Sequence, residues 1–423
     1  MTNLKNNEKI KFENFLNTEL GDDLFKKAEK VTEILNSDFL TGNEGLGMIS
    51  MEKHQGEYPI KEKNGDVHSV IMLGSNSYLN LSTNKQVNDA AAKALSKFGY
   101  GMGAVSNYAG ITEIHKELEK RIADFYNTDD AIVFPSGYGT NVGVIAALCG
   151  EGDVIINDSA NHASIFDGCK LSGAEIKVFP HAEMKGLERI LKKLPEEKTG
   201  RLIITDGVFS MDGDIAKLDV ITQLAEEYKC KVMVDDAHGI GIVGPTGKGS
   251  AEYYNVMDKI DLNVGMLSKS PGGLGGYCAA SEEIIQYLRL YARTYFFSTA
   301  LPASVAGGLN EVFKLFQKDE AGRKTLWEKI NYLKEKLNNA GFDIGHSQSA
   351  IIPVMIYDEE KLFQIHSELR ENGLYTNIVT YPAVRRKECR LRLCAMKELT
   401  YEQIDRAVDI LKELDKKYKI TKN

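Results

Sequence analysis

The chain has 423 residues, 43% of them apolar and 26% charged, with a formal net charge of −8 and a pI near 5.7. Such a balance suits a soluble globular protein of two or three domains and argues against a nucleic-acid binder, which would carry clustered Lys and Arg. No apolar stretch approaches the roughly 18 residues of a membrane span, and the first 20 residues hold no apolar signal core, so the cytoplasm is the expected location, with no integral membrane segment. The six cysteines (149, 169, 230, 278, 389 and 394) form no C-x-x-C pair. They read as reduced structural thiols, not as a disulfide frame or a zinc site.

In chain order, residues 5–39 place Phe12, Phe15, Leu16, Leu20, Leu24, Phe25, Ala28, Val31 and Leu35 at helical spacing and predict one or two helices forming an arm. GEYPIKEKNGDVHSVIML (56–73) predicts a hairpin turning at Asn64-Gly65. From about residue 85, apolar runs alternate with amphipathic segments: AIVF, DVIIN, EIKVF, RLIIT, KVMVD and LNVGML. The segment between RLIIT and KVMVD sets Leu218, Ile221, Leu224, Ala225 and Tyr228 on one helical face. That alternation predicts an α/β fold, a mostly parallel sheet covered by helices. Beyond FSTALPA (297–303), a long helical region to about residue 340, two strand-like runs and two helices predict a smaller α+β unit. The expected division is an arm and hairpin over 1–70, a large domain over 71–302 and a small domain over 303–423.

Ligands of parallel sheets bind just past the carboxyl ends of the strands. The residues there are Ser136-Gly137-Tyr138, Asp158 to His162, Asp206 to Ser210, Asp235 to His238, and Ser268-Lys269. Each alone suits a cap or turn; five polar clusters at one predicted edge suit a site. Two glycine-rich stretches are decoys. GIGIVG (239–244) fits a dinucleotide fingerprint but runs into PTGKGS, which has turn composition where a helix is required. GPTGKGS lacks both the first glycine and the Ser/Thr of a phosphate-binding loop, where Ile242 and Gly249 stand.

A lysine at a strand end, partly desolvated, becomes a nucleophile, and one common use is an imine with pyridoxal 5'-phosphate (PLP). PLP asks for helix-terminal amides at its phosphate, a carboxylate at its ring nitrogen and a flat partner on its ring. SGYGTN (136–141), Asp235 and His162 offer these, although on spacing alone His162 reads better as a hydrogen-bonded loop histidine.

Taken together, GSNSYL (74–79), SGYGTN, NHASIFDG (161–168), TDGVFSMDGDIAKL (205–218), VDDAHGIGIVG (234–244), SKSPGGLGGY (268–277), FSTALPAS (297–304) and RLRL (390–393) resemble the α-oxoamine synthases, PLP-dependent acyltransferases of fold-type I. The resemblance runs from about residue 50 to about 415. It implies Lys269 as Schiff-base lysine and acid/base, Asp235 at the pyridine nitrogen, His238 at the ring phenolic oxygen and His162 on the ring. It also implies Ser210 beside the ring oxygen and a phosphate cup of Ser136, Gly137, Tyr138 and Ser268. Thr299 would be a phosphate ligand given to the neighbouring subunit of a homodimer. Arg392 would clamp the amino-acid carboxylate, with Asn76 near the substrate. No metal is implied.

The implied reaction joins a small α-amino acid (serine, glycine or alanine) to an acyl group carried on CoA or acyl carrier protein. CO₂ is lost and an α-amino ketone forms. Local features look most like bacterial serine palmitoyltransferase; 8-amino-7-oxononanoate synthase and glycine C-acetyltransferase are the alternatives within the family. Transamination or elimination on the same fold, or an idle regulatory subunit, are the readings outside that reaction. Three positions depart from the family pattern: Met266 stands for a threonine, Ala104-Val105-Ser106 for a Gly-Ser-Arg loop, and Leu399 for a histidine.

Overall fold

The computed structural model describes residues 49–421 except 53–55, 63–64 and 196–199, together with Phe25, Lys26, Ala28, Glu29 and Thr32. The helical arm expected over 5–39 therefore lies outside the described residues but for those five positions. Asn64 of the expected turn also lies outside them.

Strand β1 is Ile49–Ser50, and β2 (Glu57–Lys61) and β3 (Val67–Met72) form the expected hairpin, paired antiparallel from Glu57↔Ile71 to Lys61↔Val67. Gly65 sits in its turn at φ +98°. The large sheet takes β4 (Asp130–Phe134), β5 (Val154–Asp158), β6 (Glu175–Phe179), β7 (Arg201–Asp206), β8 (Lys231–Asp235), β9 (Leu262–Met266) and β10 (Gly276–Ala280). Their order is β4-β10-β9-β8-β7-β5-β6. All six predicted apolar runs are strands here. β6-β5-β7-β8-β9 are mutually parallel, and β10 alone runs antiparallel between β9 and β4. β10 is the strand of this sheet that the sequence reading missed, because GYCAA begins on a glycine directly after a glycine-rich turn, and a strand has to read as an apolar run to be seen.

Both faces of this sheet are covered, and the alternation of side chains shows it. Ile155, Ile204 and Met233 pack with Val144, Ile145 and Ile165 of the helices Gly137–Leu148 and Ala163–Ser172. Val154, Ile156, Ile203, Val232 and Val234 pack on the opposite face with Leu218, Ile221, Leu224 and Ala225 of the helix Leu218–Glu227. That helical face is the one its spacing predicts.

Beyond the large sheet, helices Ala303–Lys318 and Glu320–Asn339 lead to β11 (Ile351–Met355), helix Glu359–Glu371, β12 (Leu374–Tyr375), β13 (Asn377–Val379), β14 (Arg390–Cys394) and helix Tyr401–Tyr418. β11-β14-β13 form a three-stranded antiparallel sheet. β12 pairs parallel to β3, so the hairpin of residues 57–72 is stitched to the C-terminal part of the chain.

The decoy stretch 239–249 is a string of turns with no helix, and its glycines have a local reason. A Cβ at Gly239 would lie 2.0 Å from Asp236 Oδ1, and one at Gly249 would lie 1.8 Å from Asp236 Oδ2. The glycines wrap the buried Asp236 carboxylate, which accepts the Ser250 N–H at 2.6 Å. Gly249 also holds φ +100°, a conformation that L side chains rarely adopt. Gly249→Ala is therefore expected to lower stability by about 2–4 kcal/mol, through clash and backbone strain together. Urea unfolding checks this, and an unchanged midpoint would contradict the cradle.

Candidate active site

The carboxyl ends of the parallel strands converge on one cavity of about 150 Å³. β4 leads into the helix Gly137–Leu148 through Ser136, whose Oγ accepts the Gly139 N–H at 3.1 Å and so caps it. A capped helix start leaves its first amides without intrahelical acceptors, which suits an anion. Gly137 and Tyr138 line the cavity there. His162, Asp235, His238, Ser210, Ser268 and Lys269 line the rest, joined by Ser164, Asp206 and Met266. Glycine is needed next to this helix start: a Cβ at Gly276 of β10 would come 3.0 Å from Gly137 Cα and 2.4 Å from Thr140 Oγ1. The glycines after Lys269 thus let β10 lie against the anion-facing turn.

Lys269 Nζ is 2.6 Å from His238 Nε2, and His238 Nδ1 is 2.7 Å from the Tyr78 hydroxyl. Tyr78 donates in turn to Asn76 Oδ1 at 3.2 Å, and both Arg392 Nη atoms donate to that same oxygen at 3.2 Å. Burial, then the cations Lys269 and Arg392, hold His238 well below the usual imidazole range, so it is neutral. One direction of donation fits: Lys269 N–H to Nε2, Nδ1–H to Tyr78, and Tyr78 O–H to Asn76. A single hydrogen-bonded file therefore runs from the lysine amine to the guanidinium. Arg392 Nη1 also meets Cys394 Sγ at 3.1 Å, and its Nε donates to the Ser210 carbonyl.

A second file approaches from the helix side. Asn141 Nδ2 donates to Asp235 Oδ2 at 2.7 Å and to Ser164 Oγ at 2.9 Å, and Ser164 Oγ lies 2.7 Å from His162 Nδ1. The Ser164 N–H also points at Nδ1, at 3.2 Å, so Nδ1 is the accepting nitrogen. Partial burial lowers the His162 pKa, against the pull of Asp235, and leaves a neutral ring beside the cavity. Asp235 Oδ1 accepts the Ala237 N–H at 3.1 Å. Next to it, in register across β7 and β8, stands Asp206. Burial, then the adjacent Asp235, pushes the Asp206 carboxyl well above the carboxylate range. Asp206 Oδ1 has no hydrogen-bond partner among the described residues.

Four of the residues expected from the sequence stand apart from the cavity wall. Ser136 caps the helix start behind it, Arg392 lies one hydrogen bond beyond it through the Ser210 carbonyl, and Asn76 one further, on Arg392. Thr299 is exposed, in an isolated bridge with Val105, away from this cavity. Met266, at the end of β9, fills the space above Gly137: a Cβ on Gly137 would fall 2.0 Å from its Sδ. Leu399 is a fully buried core residue. The sequence reading gave no role to Tyr78, Asn141, Ser164, Asp206 or Cys394. The signal for Tyr78 lay inside GSNSYL and that for Asn141 inside SGYGTN, motifs quoted whole while only some members were given work.

This arrangement fits PLP on its own chemistry. A helix start is available for its phosphate, a buried carboxylate for its ring nitrogen, an imidazole for its ring and an amine for its aldehyde. Among the described residues, no cluster of His, Cys, Asp and Glu is placed to hold a metal ion. The amine itself is tuned: burial, against the pull of Asp235, lowers the Lys269 pKa to about 8. In the cofactor-free protein, the rate of imine formation with added PLP is thus expected to climb with pH through a midpoint near 8, as the free base appears. Stopped-flow absorbance measures it; a midpoint near that of an ordinary lysine, about 10.4, would contradict the desolvated site.

Residues 68–411 match the family described as aminotransferase class I and II. The 8-amino-7-oxononanoate synthase of Thermoanaerobacter pseudethanolicus is 41% identical over 84% of this chain and 90% of its own length. Among solved structures, serine palmitoyltransferase of S. paucimobilis, with a bound PLP–myriocin compound, superposes with a TM-score of 0.89 at 30% identity, covering 94% of this chain and 100% of that one. The 8-amino-7-oxononanoate synthase of Francisella tularensis gives a TM-score of 0.72 at 26% identity, over 82% of this chain and 98% of that one.

Proposed function

From the premise that the chain belongs to the aminotransferase class I and II family, and within it to the α-oxoamine synthases, we propose that it makes 8-amino-7-oxononanoate. It is a PLP-dependent C-acyltransferase that condenses a small α-amino acid with an acyl thioester and releases CO₂. The observation carrying the specific product is the 41% identity to 8-amino-7-oxononanoate synthase over 90% of that relative. The product name fixes the substrates by carbon count. Its amine-bearing carbon and terminal methyl are what alanine leaves after decarboxylation; the other seven carbons, a ketone ending in a carboxylate, come from the thioester of a seven-carbon dicarboxylic acid. The serine palmitoyltransferase reading is kept alive by one observation, the closer superposition of 0.89 on that enzyme.

The contacts support the following roles. The amides of Gly137 and Tyr138, with Ser136 and Ser268, would hold the cofactor phosphate. His162 would cover the ring, with Ser210 and His238 toward its oxygen. Asp235, fixed by Asn141, would keep a proton on the ring nitrogen. Bound PLP supplies a sink for the negative charge that develops at the substrate Cα. Arg392 would pair with the amino-acid carboxylate through its charge and the Nη2 N–H that its contacts with Asn76, Cys394 and Ser210 leave over, and Asn76 holds Arg392 in place. Lys269 takes the Cα proton, and His238, neutral and accepting from Nζ, keeps that amine aimed. The new C–C bond forms at the acyl carbon, the C–S bond breaks, and the thiol leaves; the carboxylate then departs as CO₂.

Further parts of the reading concern organisation. We propose a homodimer in which Thr299 reaches the neighbour's phosphate, which its exposure and distance from its own cavity support. Exposed aromatic side chains on neighbouring segments, Tyr108 (80%), Tyr291 (58%) and Phe297 (70%), offer a surface for that contact. The division into 1–70, 71–302 and 303–423, and a cytoplasmic location, are also proposed; among the described residues no helix is long and apolar enough to cross a membrane.

The test is thiol release from a matrix of amino acids and thioesters. Alanine with the seven-carbon dicarboxylic thioester, on CoA or on acyl carrier protein, is expected to give the highest kcat/KM. Serine with a palmitoyl thioester as the best pair would replace this product with the sphingoid one.

A further inference from the structure

The loop of residues 207–217, between β7 and the helix Leu218–Glu227, carries Ser210. It closes on itself: Phe209 N–H donates to Asp214 O at 3.0 Å, Gly213 N–H to Phe209 O at 2.8 Å and Ala216 N–H to Gly207 O at 3.0 Å. One side of it faces the three-stranded sheet. There Arg392 Nε donates to the Ser210 carbonyl, Arg390 Nη1 meets Asp212 Oδ1 at 2.5 Å and Met211 O at 3.2 Å, and Gln348 Oε1 accepts the Ile215 N–H at 3.1 Å. The two arginines are i and i+2 on β14, so they share one face of that strand. The loop is the piece of the large-sheet side that touches the carboxylate clamp.

Its other side is held by His181. Nδ1 lies 3.0 Å from Asp158 Oδ1 and Nε2 lies 3.1 Å from Asp214 Oδ2. Carboxylates accept only, so both ring nitrogens carry protons and His181 is an imidazolium between two acids. The ring also stands edge-on to Phe209, with centroids 4.2 Å apart. Asp158 is a fixed post: it ends β5, is 2% exposed, and accepts the N–H groups of Ala160 at 2.8 Å and Ala182 at 3.1 Å. To give that last bond Ala182 sits at φ +54°, a left-handed conformation that a non-glycine residue keeps only where its surroundings impose it. Lys217 Nζ reaches Ala182 O at 3.4 Å and brings a cation to this corner, while Asp206 lies on the Asp158 side and Asp219 near Asp214. Burial would lower the imidazole pKa, but the hydrogen bonds to Asp158 and Asp214 outweigh it and raise it to about 10, so the charge persists at neutral pH.

We propose that His181 is a positioning residue for the amino-acid carboxylate: clamped between Asp158 and Asp214, it holds the 207–217 loop where the Ser210 carbonyl orients the Arg392 guanidinium. His181 touches neither cavity nor substrate and acts through that carbonyl. The proposal rests on the reading of Arg392 as the carboxylate clamp.

The experiment measures binding to the holoenzyme without any thioester, following the absorbance of the bound cofactor as alanine or ethylamine is added. Ethylamine is alanine without its carboxylate. For His181→Gln, which is neutral and carries both N–H donors on one nitrogen instead of on two separate ones, the Kd for alanine is expected to rise about tenfold, the scale of one lost charge-assisted hydrogen bond, while that for ethylamine changes by less than about twofold. Asp214→Asn keeps the side-chain volume and serves if His181→Gln fails to fold; its alanine Kd is expected to rise about threefold, again without an ethylamine effect. Equal weakening of both ligands, or of neither, would overturn the proposal. Arg392→Ala separates the two levels. If it leaves the preference for alanine over ethylamine intact, the clamp reading itself fails. If it removes that preference while both His181→Gln and Asp214→Asn retain it, only the role of His181 fails.

Discussion

Lys269→Ala is expected to lower turnover about a thousandfold or more, the combined loss of a covalent anchor and of the base at the substrate Cα. Thermal stability is expected to change little, because Nζ borders a cavity and its one close partner among the described residues is His238 Nε2 at 2.6 Å. Water entering that cavity satisfies the nitrogen left behind, so the usual penalty for an orphaned buried acceptor, about 1–3 kcal/mol, is largely avoided. Added primary amine is expected to restore part of the rate, since the space vacated accepts it. Thiol release with and without amine, beside a melting curve, checks both points. Turnover near that of the unmodified enzyme would remove Lys269 from the chemistry.

Asp235→Asn comes second in size. The substitution keeps one acceptor oxygen, which can face Asn141 Nδ2, now at 2.7 Å, and so preserve the second file of hydrogen bonds, while the Ala237 N–H, now at 3.1 Å from Oδ1, loses its acceptor. It removes the negative charge that holds a proton on the cofactor ring nitrogen. Loss of one preorganised electrostatic partner in a buried site typically costs about 10²–10³ in kcat, and that range is expected here, with the cofactor still bound. Asp206, one strand away, is not expected to substitute: burial, the larger cause of its raised pKa, still pushes its carboxyl toward the neutral form once the Asp235 charge is gone. The measurement is kcat at saturating substrates with cofactor occupancy read by absorbance. An effect below about threefold would mean that the ring nitrogen needs no carboxylate.

The large sheet was legible because its inner strands are apolar on both faces and read as continuous runs: VIIN, LIIT, VMVD. Their carboxyl ends could then be found by counting, and the polar residues there do converge on one cavity. β10 escaped because its first residue is glycine, needed where the strand passes Gly137, and close approach reads in sequence as a turn. Tyr78 and Asn76 illustrate a second limit. They lie ahead of the large sheet in sequence, and only the folded chain brings Tyr78 to His238 and Asn76 to Arg392, 316 residues away. Periodicity and spacing say nothing about such pairs. His181 and Asp214 show the same limit, since their bond depends on how the 207–217 loop folds back. Met266 was legible as a departure from the family pattern; its physical partner, Gly137, was visible only in three dimensions.

The account turns on Lys269 driving a decarboxylative condensation, and the most direct measurement is stoichiometry. Holoenzyme is given carboxyl-labelled alanine and the seven-carbon thioester, and labelled CO₂ and free thiol are counted together. One CO₂ for each thiol, both abolished in Lys269→Ala, is the predicted result. Pyruvate or ammonia formed with no thiol, or thiol without CO₂, would contradict it.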